Sequence, residues 1–257
     1  FGDLAGNEMF FKRAKNIEKR LEKMEIIDRV DLNKKSLDLK FNIKKRSGND
    51  VLKLENVEKK FDQKVIFKDA NLTLNYGEKA ALIGKNGSGK STLIKMILGQ
   101  DTNFQGELKL GTSIKIGYIS QNIIFENNEK TVLDYFLEGN NLSETEARSK
   151  LAKYGFRQEN AFKRIGKLSG GEKVRIILMK LIQKDINFLI LDEPTNHIDI
   201  DTREILEEAL KEYKGTVLFV SHDRFFINAI ANRVLNIENY KIKSCYGNYD
   251  DFNRVIK

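Results

Sequence analysis

The feature that most constrains the fold is GKNGSGKST at positions 84–92, which follows the apolar run AALI and precedes the helical pattern LIKMIL. Glycines at this spacing let backbone N–H groups turn inward around phosphate oxygens, and the N-terminus of the next helix adds partial positive charge. Lys90 can reach the β- and γ-phosphates, and the Ser91 hydroxyl can bind Mg²⁺. The motif predicts a nucleoside-triphosphate site formed by Gly84, Lys85, Asn86, Gly87, Ser88, Gly89, Lys90, Ser91 and Thr92.

A second predicted strand ends in the acidic residues that such a site needs. In NFLILDEPTNHID, positions 187–199, Asp192 comes directly after four apolar residues and Glu193 follows it. Asp192 is predicted to hold the hydration shell of Mg²⁺, and Glu193 to orient or deprotonate the attacking water. Pro194, the only proline in the chain, stops the strand just after the carboxylates.

The pentapeptide LSGGE at 168–172, before a run with apolar residues at helical spacing, is a second glycine-rich helix start. Two glycines and a serine at such a position form an anion site of backbone amides and a hydroxyl. One nucleotide hardly needs a second helix end, so this one is expected to face the nucleotide of another subunit. Taken alone, the pentapeptide also fits an ordinary helix N-cap with Glu172 in the first turn.

The apolar patterning predicts an α/β fold. Strands at Ala80–Ile83, Phe188–Leu191 and Thr216–Val220 alternate with helices, which implies a parallel sheet covered by helices. Alternating residues in Leu37–Ile43, followed by the turn-like KKRSGND, predict a hairpin with VLKLENV beside that sheet. Further predictions are helices from about Gly89, around Ile205–Tyr213 and around Arg224–Ala231, a helical lobe at about 122–170, and a closing hairpin around Glu238-Asn239.

In their order along the chain these motifs resemble the ATP-binding cassette (ABC) superfamily over roughly residues 37–250. The resemblance implies a P-loop NTPase domain with a mixed sheet core, an antiparallel β subdomain and an inserted helical lobe. It implies hydrolysis of ATP to ADP and phosphate, with ATP and Mg²⁺ bound in a site shared across a dimer of cassettes. The family's parts are Walker A at 84–92, Gln121 of the Q-loop in GYISQN, Walker B with Asp192 and Glu193, the D-loop ending at Asp199, His222 of the switch, Phe61 as the adenine-stacking aromatic, and the signature Leu168, Ser169, Gly170, Gly171 and Glu172.

Three of these residues are assigned by the resemblance and have simpler alternatives. His222 is expected to contact the γ-phosphate, Gln121 to sense Mg²⁺ and water, and Phe61 to stack on adenine. Phe61 also fits a core aromatic, Gln121 a solvated polar residue, and His222 a helix N-terminal residue without catalytic role. Their joint order with the other motifs favours the functional interpretation.

Two details are similar to the ABC-F family of soluble tandem-cassette ATPases that act on the ribosome. Walker B continues as DEPTNHID, where transporter domains more typically have Ser-Ala-Leu-Asp, and the switch is VSHDRFFIN, where transporters more often have Thr-His-Asp. The closing YGNYDDF is also similar. The resemblance implies a cytoplasmic protein without membrane insertion, with the ribosome and its rRNA or tRNA as partners. The alternatives are the ATPase subunit of a membrane transporter and a catalytically weak scaffold. The scaffold alternative is disfavoured by the presence of Lys90, Asp192, Glu193 and His222.

Residues 1–25 are predicted to form a helix with an apolar stripe and a basic opposite face. By resemblance, residues 1–35 are the returning arm of the linker between two cassettes, and residues 36–257 are the second cassette. The first cassette, or a second copy of this chain in its place, is then the expected partner. The alternative for the helix at residues 1–25 is an ordinary solvated amphipathic helix. The basic face consists of Lys12, Arg13, Lys15, Lys19, Arg20 and Lys23.

Composition narrows the class of protein further. No apolar run approaches 18 residues, so no transmembrane helix is expected. The single cysteine, Cys245, excludes a disulfide framework and favours a reducing cytosolic compartment. A net charge of +8 fits either a polyanionic partner or a chain that is simply rich in lysine. The opening FGDLAGNEMF has no initiator Met, which suggests a fragment or a processed product.

Overall fold

The computed structural model describes residues 48–182, 184–196 and 198–256. The predicted basic helix, the linker arm at 1–35 and the strand Leu37–Ile43 lie outside the described residues. The strands are β1 (Asp50–Phe61), β2 (Lys64–Asn75), β3 (Lys79–Gly84), β4 (Gln105–Leu110), β5 (Ile116–Ile119), β6 (Phe188–Asp192), β7 (Thr216–Val220), β8 (Arg233–Glu238) and β9 (Lys241–Tyr246). The α-helices are α1 (Lys90–Ile97), α2 (Val132–Leu137), α3 (Glu144–Lys153), α4 (Gly170–Ile182), α5 (Ile200–Glu212), α6 (Arg224–Ile230) and α7 (Tyr249–Ile256), with 3₁₀-helices at Gln158–Phe162 and Ile165–Lys167.

The larger sheet has six strands in the order β5-β6-β7-β3-β8-β9. Neighbouring strands from β5 to β8 are parallel, and β9 pairs antiparallel with β8. Strands β6 and β7 are buried along their whole length, as expected for apolar runs at the centre of a parallel sheet. The predicted α/β fold with a mixed sheet is therefore confirmed.

The register of this sheet brings three chain segments to one edge. Val220, the last residue of β7, pairs with Leu82 of β3 on one side and with Asp192 of β6 on the other. In parallel strands the residues that follow such pairs emerge at the same end of the sheet. The glycine loop after β3, Glu193 after β6 and His222 after β7 are therefore adjacent in space.

The smaller sheet is antiparallel, with the order β2-β1-β4, and corrects one prediction. VLKLENV does lie in an antiparallel strand, β1, but it pairs with β2 and β4. Leu52 and Leu54 each have a partner on both sides, from β2 and from β4. Both edges of this part of β1 are thus occupied, and the predicted hairpin between VLKLENV and the preceding strand is wrong.

The closing hairpin is confirmed between β8 and β9. Glu238 pairs with Lys241, and the two residues between them, Asn239 and Tyr240, have φ of 50° and 64°. Two consecutive positive φ values are typical of the type I′ turn, which matches the right-handed twist of the flanking strands. The turn therefore lies one residue later than predicted.

Helix α5 begins at Ile200, five residues before the predicted start near Ile205. The cause is a side-chain cap. Asp199 Oδ1 accepts a hydrogen bond from the backbone N–H of Thr202 at 2.8 Å, and Asp199 Oδ2 accepts one from the Thr202 hydroxyl at 3.0 Å. An acidic N-cap stabilises the first turn of a helix even where that turn is polar, so the apolar pattern placed the start of the helix too late.

The segment between β5 and β6 is mainly helical. Helices α2, α3 and α4 and both 3₁₀-helices share an apolar cluster, which includes Phe136, Leu151 and Ile165. Ser143 begins α3 with a reciprocal capping box to Glu146. Within the described parts of the chain, no helix has the length and apolar character needed to cross a membrane.

Candidate nucleotide-binding site

The loop between β3 and α1 requires glycine for steric reasons. Gly89 has a φ of 114°, and a Cβ added there would lie 2.6 Å from Ile66 Cγ2. At Gly84, with a φ of 151°, a Cβ would lie 2.7 Å from Ser88 Oγ. Gly89 is the N-cap of α1 and offers no side-chain cap, so the first amides of this helix are placed for an external anion.

Lys90, the first residue of α1, is almost completely buried. Its ammonium donates hydrogen bonds to the carbonyl oxygens of Gly84 at 2.9 Å and Lys85 at 3.3 Å. An ammonium has three donors and can exchange carbonyl partners for phosphate oxygens without remaining unpaired. Lys90 therefore both holds the loop in shape and supplies a cation beneath it.

A cleft of about 570 Å³ lies beside the loop and gathers the predicted residues from distant parts of the sequence. Its volume falls in the range usual for small-molecule sites. Phe61 is 48% exposed and forms part of the wall, so it is not a core aromatic. The predicted residues that line the cleft are Phe61, Asn86, Gly87, Gly89, Lys90, Ser91, Thr92, Gln121, Asp192, Glu193 and His222.

One end of the cleft has a buried carboxylate beside an exposed histidine. Glu193 Oε1 lies 3.2 Å from His222 Nε2, and the two side chains are 8% and 61% exposed. Within the described residues Glu193 Oε2 is buried and has no hydrogen-bond partner. Glu193 also has a φ of 51°, which is unfavourable for a residue with a side chain and is commonly found at functional sites.

Burial raises the pKa of both carboxylates in the cleft. For Asp192 the neighbouring charge of Lys90 opposes the rise, and for Glu193 the charge of His222 opposes it. Removal from water disfavours the charged form of a carboxyl group, so both groups hold protons more strongly than a solvated carboxylate does. A cation or a proton delivered to this end of the cleft would relieve that cost.

The residues fit a magnesium ion that arrives with a nucleotide. Over the described parts of the chain no group of three or more His, Cys, Asp or Glu residues could hold a metal by itself. Mg²⁺ usually keeps several waters and is bound by one or two carboxylates together with substrate phosphates. Ser91 and Asp192 both line the cleft and are oxygen donors of the kind that Mg²⁺ prefers.

The LSGGE segment lies elsewhere. Among the described residues that line the cleft, none belongs to Leu168–Glu172. Ser169 Oγ accepts a hydrogen bond from Glu172 N at 3.2 Å, and Glu172 Oε2 accepts one from Ser169 N at 2.7 Å. The pentapeptide thus forms the helix cap that its sequence also allowed. Ser169 and Gly170 are exposed, while Leu168 and Gly171 are buried.

Asp199, predicted as the end of the D-loop, lies next to this helix start and is not part of the cleft lining. A Cβ added at Gly171 would lie 2.6 Å from Asp199 Oδ2 and 2.8 Å from Thr202 Oγ1. This close approach requires glycine at position 171. The start of α4 and the start of α5 are therefore packed directly against each other.

A second cavity, of about 710 Å³, adjoins the first behind the loop. It shares Lys64, Ile66, Asn86 and Gly87 with the cleft and is closed by the β8–β9 turn. Lys85 and Ser88 line this cavity and not the cleft. Asp192, Glu193 and His222 do not line it, so the smaller cleft is the candidate for nucleotide chemistry.

Two polar residues of the cleft wall were missed in the sequence. Lys64 follows Phe61 by three residues, at the start of β2, and Asn196 follows the Walker B carboxylates in DEPTN. A contact between the hydroxyls of Thr195 and Ser221, at 3.3 Å, also joins the Walker B turn to the switch loop. Lys64 lies close to Phe61 in the sequence, and Asn196 lies close to Glu193. This proximity could have indicated both residues.

The parallel strands of the larger sheet, the glycine loop after β3 and the two carboxylates at the end of β6 together define a P-loop NTPase domain. A family model described as ABC transporter matches residues 67–196, which is half of the chain. A solved metal-chelate type ABC transporter, in an inward-facing conformation, has a similar fold. The TM-score is 0.64 at 27% identity, covering 77% of this chain and 84% of that one.

Relatives at the sequence level narrow the family. ABC transporter F family member 5 of Arabidopsis thaliana is 37% identical over 93% of this chain and 35% of its own length. The ribosome protection protein VmlR of Bacillus subtilis (strain 168) is 40% identical, over 77% of this chain and 36% of its own length. The energy-dependent translational throttle protein EttA of Escherichia coli (strain K12) is 36% identical, over 82% of this chain and 39% of its own length.

The chain belongs to the ABC family and is an ATPase domain of the ABC-F type. It spans between 35 and 39% of the length of these three relatives.

Proposed function

We propose that this chain is one cassette of a two-cassette ABC-F ATPase that acts on the ribosome, and that its nucleotide is completed by LSGGE from a partner cassette. The observation that carries the proposal is the separation of two half-sites on one chain. The cleft contains the glycine loop, the carboxylates and His222. Ser169 and Gly170 are exposed outside that cleft, where they are accessible to a nucleotide held by another cassette.

In this proposal ATP is bound at its two ends by different parts of the cleft. The half-exposed Phe61 ring stacks on adenine. Lys90 and the amides at the start of α1 bind the β- and γ-phosphates. Mg²⁺ would be held by Ser91 and, through water, by Asp192 and Gln121, and when bound it neutralises charge on the phosphates.

Glu193 is the proposed general base. Its carboxylate accepts a proton from the attacking water, whose oxygen forms the new bond to the γ-phosphorus as the bond to the leaving ADP oxygen breaks. The raised pKa of Glu193, caused mainly by burial, makes it a better proton acceptor than a solvated carboxylate. His222, at 3.2 Å from Glu193 Oε1, holds that carboxylate and contacts the γ-phosphate.

The partner cassette acts by closure. With ATP between them, the LSGGE of each cassette supplies backbone amides and the serine hydroxyl to the nucleotide on the other. Binding favours the closed form and hydrolysis releases it, so the nucleotide acts as a conformational switch. We infer that this chain is the second cassette and that the first precedes it in a longer polypeptide, with a homodimer able to take its place.

The ribosome is the proposed target because of the relatives and the family-type motifs. Two relatives are named for ribosome protection and for translational control. DEPTNHID and VSHDRFFIN match the ABC-F pattern rather than the transporter pattern. We propose that the basic residues of the 1–35 arm contact rRNA or tRNA phosphates in the cytoplasm, in the ATP-bound state.

The test uses the full-length protein with purified ribosomes. A non-hydrolysable ATP analogue, or Glu193→Gln with the matching change in the other cassette, should trap the protein on ribosomes, as measured by co-sedimentation. ADP should release it. Tight nucleotide binding without ribosome association in either state would contradict the ribosomal role, and co-purification with a membrane protein would support a transporter subunit.

A further inference from the structure

A lysine is buried directly beside the proposed adenine platform. Lys59 lies on β1, two residues before Phe61, and only 2% of it is exposed. Its Nζ lies 2.6 Å from Asp101 Oδ1 and 2.6 Å from the carbonyl oxygen of Asn103. The same Nζ lies over the Phe61 ring, 4.5 Å from its centroid.

This arrangement satisfies the buried charge with three different partners. An ammonium has three N–H donors, and a lysine is almost never fully buried unless it is paired. Two donors are used by Asp101 and Asn103. The ring supplies the third contact, because its electron-rich face attracts a cation. The Phe61 side chain is nevertheless 48% exposed, so it also presents a surface to the cleft.

The same contacts join the adenine end of the cleft to the phosphate end. Asp101 follows α1, the helix that begins directly after the glycine loop, and its backbone N–H donates to the carbonyl oxygen of Lys95 on that helix. Asp101 Oδ1 also accepts a hydrogen bond from Asn103 N at 3.1 Å. Lys59 thus connects the strand that carries Phe61 to the helix that carries Lys90.

We propose that Lys59 is a positioning residue for adenine recognition: it holds the Phe61 ring and fixes the distance between that ring and the phosphate-binding helix. The inference rests on the proposed role of Phe61 as the adenine platform. It assigns to Lys59 no contact with the nucleotide, since the side chain is buried and is not among the described residues that line the cleft. Another lysine of the same strand, Lys53, is half exposed and pairs with Glu55 at 2.8 Å, which makes it a matched control.

The test compares ATP with inorganic triphosphate, which lacks the adenosine. Binding of each to the 257-residue chain is measured by calorimetry for the parent, Lys59→Met and Lys53→Met. We expect Lys59→Met to weaken ATP binding by about three- to tenfold, because a Phe61 ring that is no longer held must be ordered when adenine binds. Triphosphate binding should be unchanged, and Lys53→Met should alter neither. Equal loss of both ligands would show a general structural role and overturn the inference.

A double-mutant cycle with Phe61→Ala separates this inference from the proposed function. If Lys59 acts through the ring, Lys59→Met should have no further effect on ATP affinity in the Phe61→Ala background. An equally large further loss of ATP affinity in that background would overturn the positioning role of Lys59 but not the proposed role of Phe61. Unchanged ATP affinity in Phe61→Ala itself would instead refute the adenine platform.

A second variant covers the case in which Lys59→Met does not fold, as judged by thermal unfolding. Asp101→Asn keeps the size of the side chain but removes the ionic partner of Lys59. It should lower ATP affinity by a smaller factor, about two- to fivefold, and leave triphosphate binding unchanged. Parallel losses of ATP and triphosphate in Asp101→Asn would contradict the positioning role.

Discussion

The cleft and the LSGGE segment, the two proposed half-sites of this chain, differ in how their hydrogen bonds are satisfied. In the cleft, Glu193 Oε2 is buried and has no partner among the described residues, and burial raises the pKa of Glu193 and Asp192. In LSGGE, Ser169 and Glu172 satisfy each other in a reciprocal cap, and Lys163 pairs with Glu172 at 2.9 Å. The cleft therefore holds polar groups that a ligand would stabilise, whereas LSGGE is stable without one.

This difference has a consequence for assembly. A buried polar group without a partner costs free energy, so the cleft favours its own nucleotide and metal. An exposed, self-capped helix start gains less from an anion, because its serine hydroxyl already has a partner within the helix. We therefore expect ATP to bind the cleft of one cassette first, and LSGGE of another cassette to join only afterwards.

The largest effect is expected for Glu193→Gln. It removes the proposed base but keeps the size of the side chain and the phosphate contacts, so ATP affinity should be unchanged while hydrolysis falls by about 10²–10⁴-fold. Phosphate release and ATP binding are measured side by side. Glu208→Gln, at an exposed position on α5, is the control and should leave both quantities unchanged. Hydrolysis near the parent rate would exclude Glu193 as the base.

The next largest effect tests whether the two half-sites must come from different copies. Activity per molecule of the isolated chain should rise with protein concentration, because two copies form the shared site, and Ser169→Arg should suppress it by filling the γ-phosphate position. A mixture of Ser169→Arg and Lys90→Ala chains should regain activity. Each site of the mixed dimer combines Lys90 of one chain with Ser169 of the other, so one site carries both substitutions and the other site carries neither. Specific activity that stays constant over a hundredfold dilution, or proven mixed dimers without rescue, would contradict a shared site.

A smaller effect is expected at the adenine end. Phe61→Ala should weaken ATP affinity by about 1–3 kcal/mol, the range for one base–aromatic stack. ADP should lose the same amount, because both nucleotides contain adenine and the phosphate contacts are unchanged. Calorimetric titration of both nucleotides checks this. A loss confined to ATP would place Phe61 at the phosphates instead.

The smallest effect concerns the stability of the nucleotide-free domain. The folded-state pKa of Glu193 is raised by burial, so the folded state holds a proton that the unfolded state releases as the pH rises past the usual glutamate range. Stability should therefore decrease as the pH rises through that window toward the folded pKa. The variant Glu193→Gln, whose side chain cannot ionise, should unfold at a higher Tm than the parent at pH 7.5. At pH 4 the difference between the two Tm values should be smaller. A lower Tm at pH 7.5 would contradict the buried-charge argument.

Local motifs explain why the elements that carry the candidate site were predictable. A glycine loop between a strand and a helix and two acidic residues at the end of a strand depend on neighbouring residues in the sequence, and these elements lie where the patterns placed them. The start of α5 was predicted too late because a cap at Asp199, and not the apolar pattern, begins that helix. The partners of β1 were predicted wrongly because strand pairing joins residues far apart in the sequence.

By itself the sequence determined the class of domain, the order of its motifs and the residue types that phosphate, metal and water require, because these are properties of short segments. Only the tertiary structure decided which polar groups are satisfied. Glu193 and Ser169 both belong to conspicuous motifs, yet Glu193 has a buried oxygen without a partner among the described residues, and Ser169 is capped and exposed. Lys59 has no motif, and it is buried against Phe61 and Asp101. Burial depends on what the rest of the chain packs around a residue, and no short stretch of sequence contains that information.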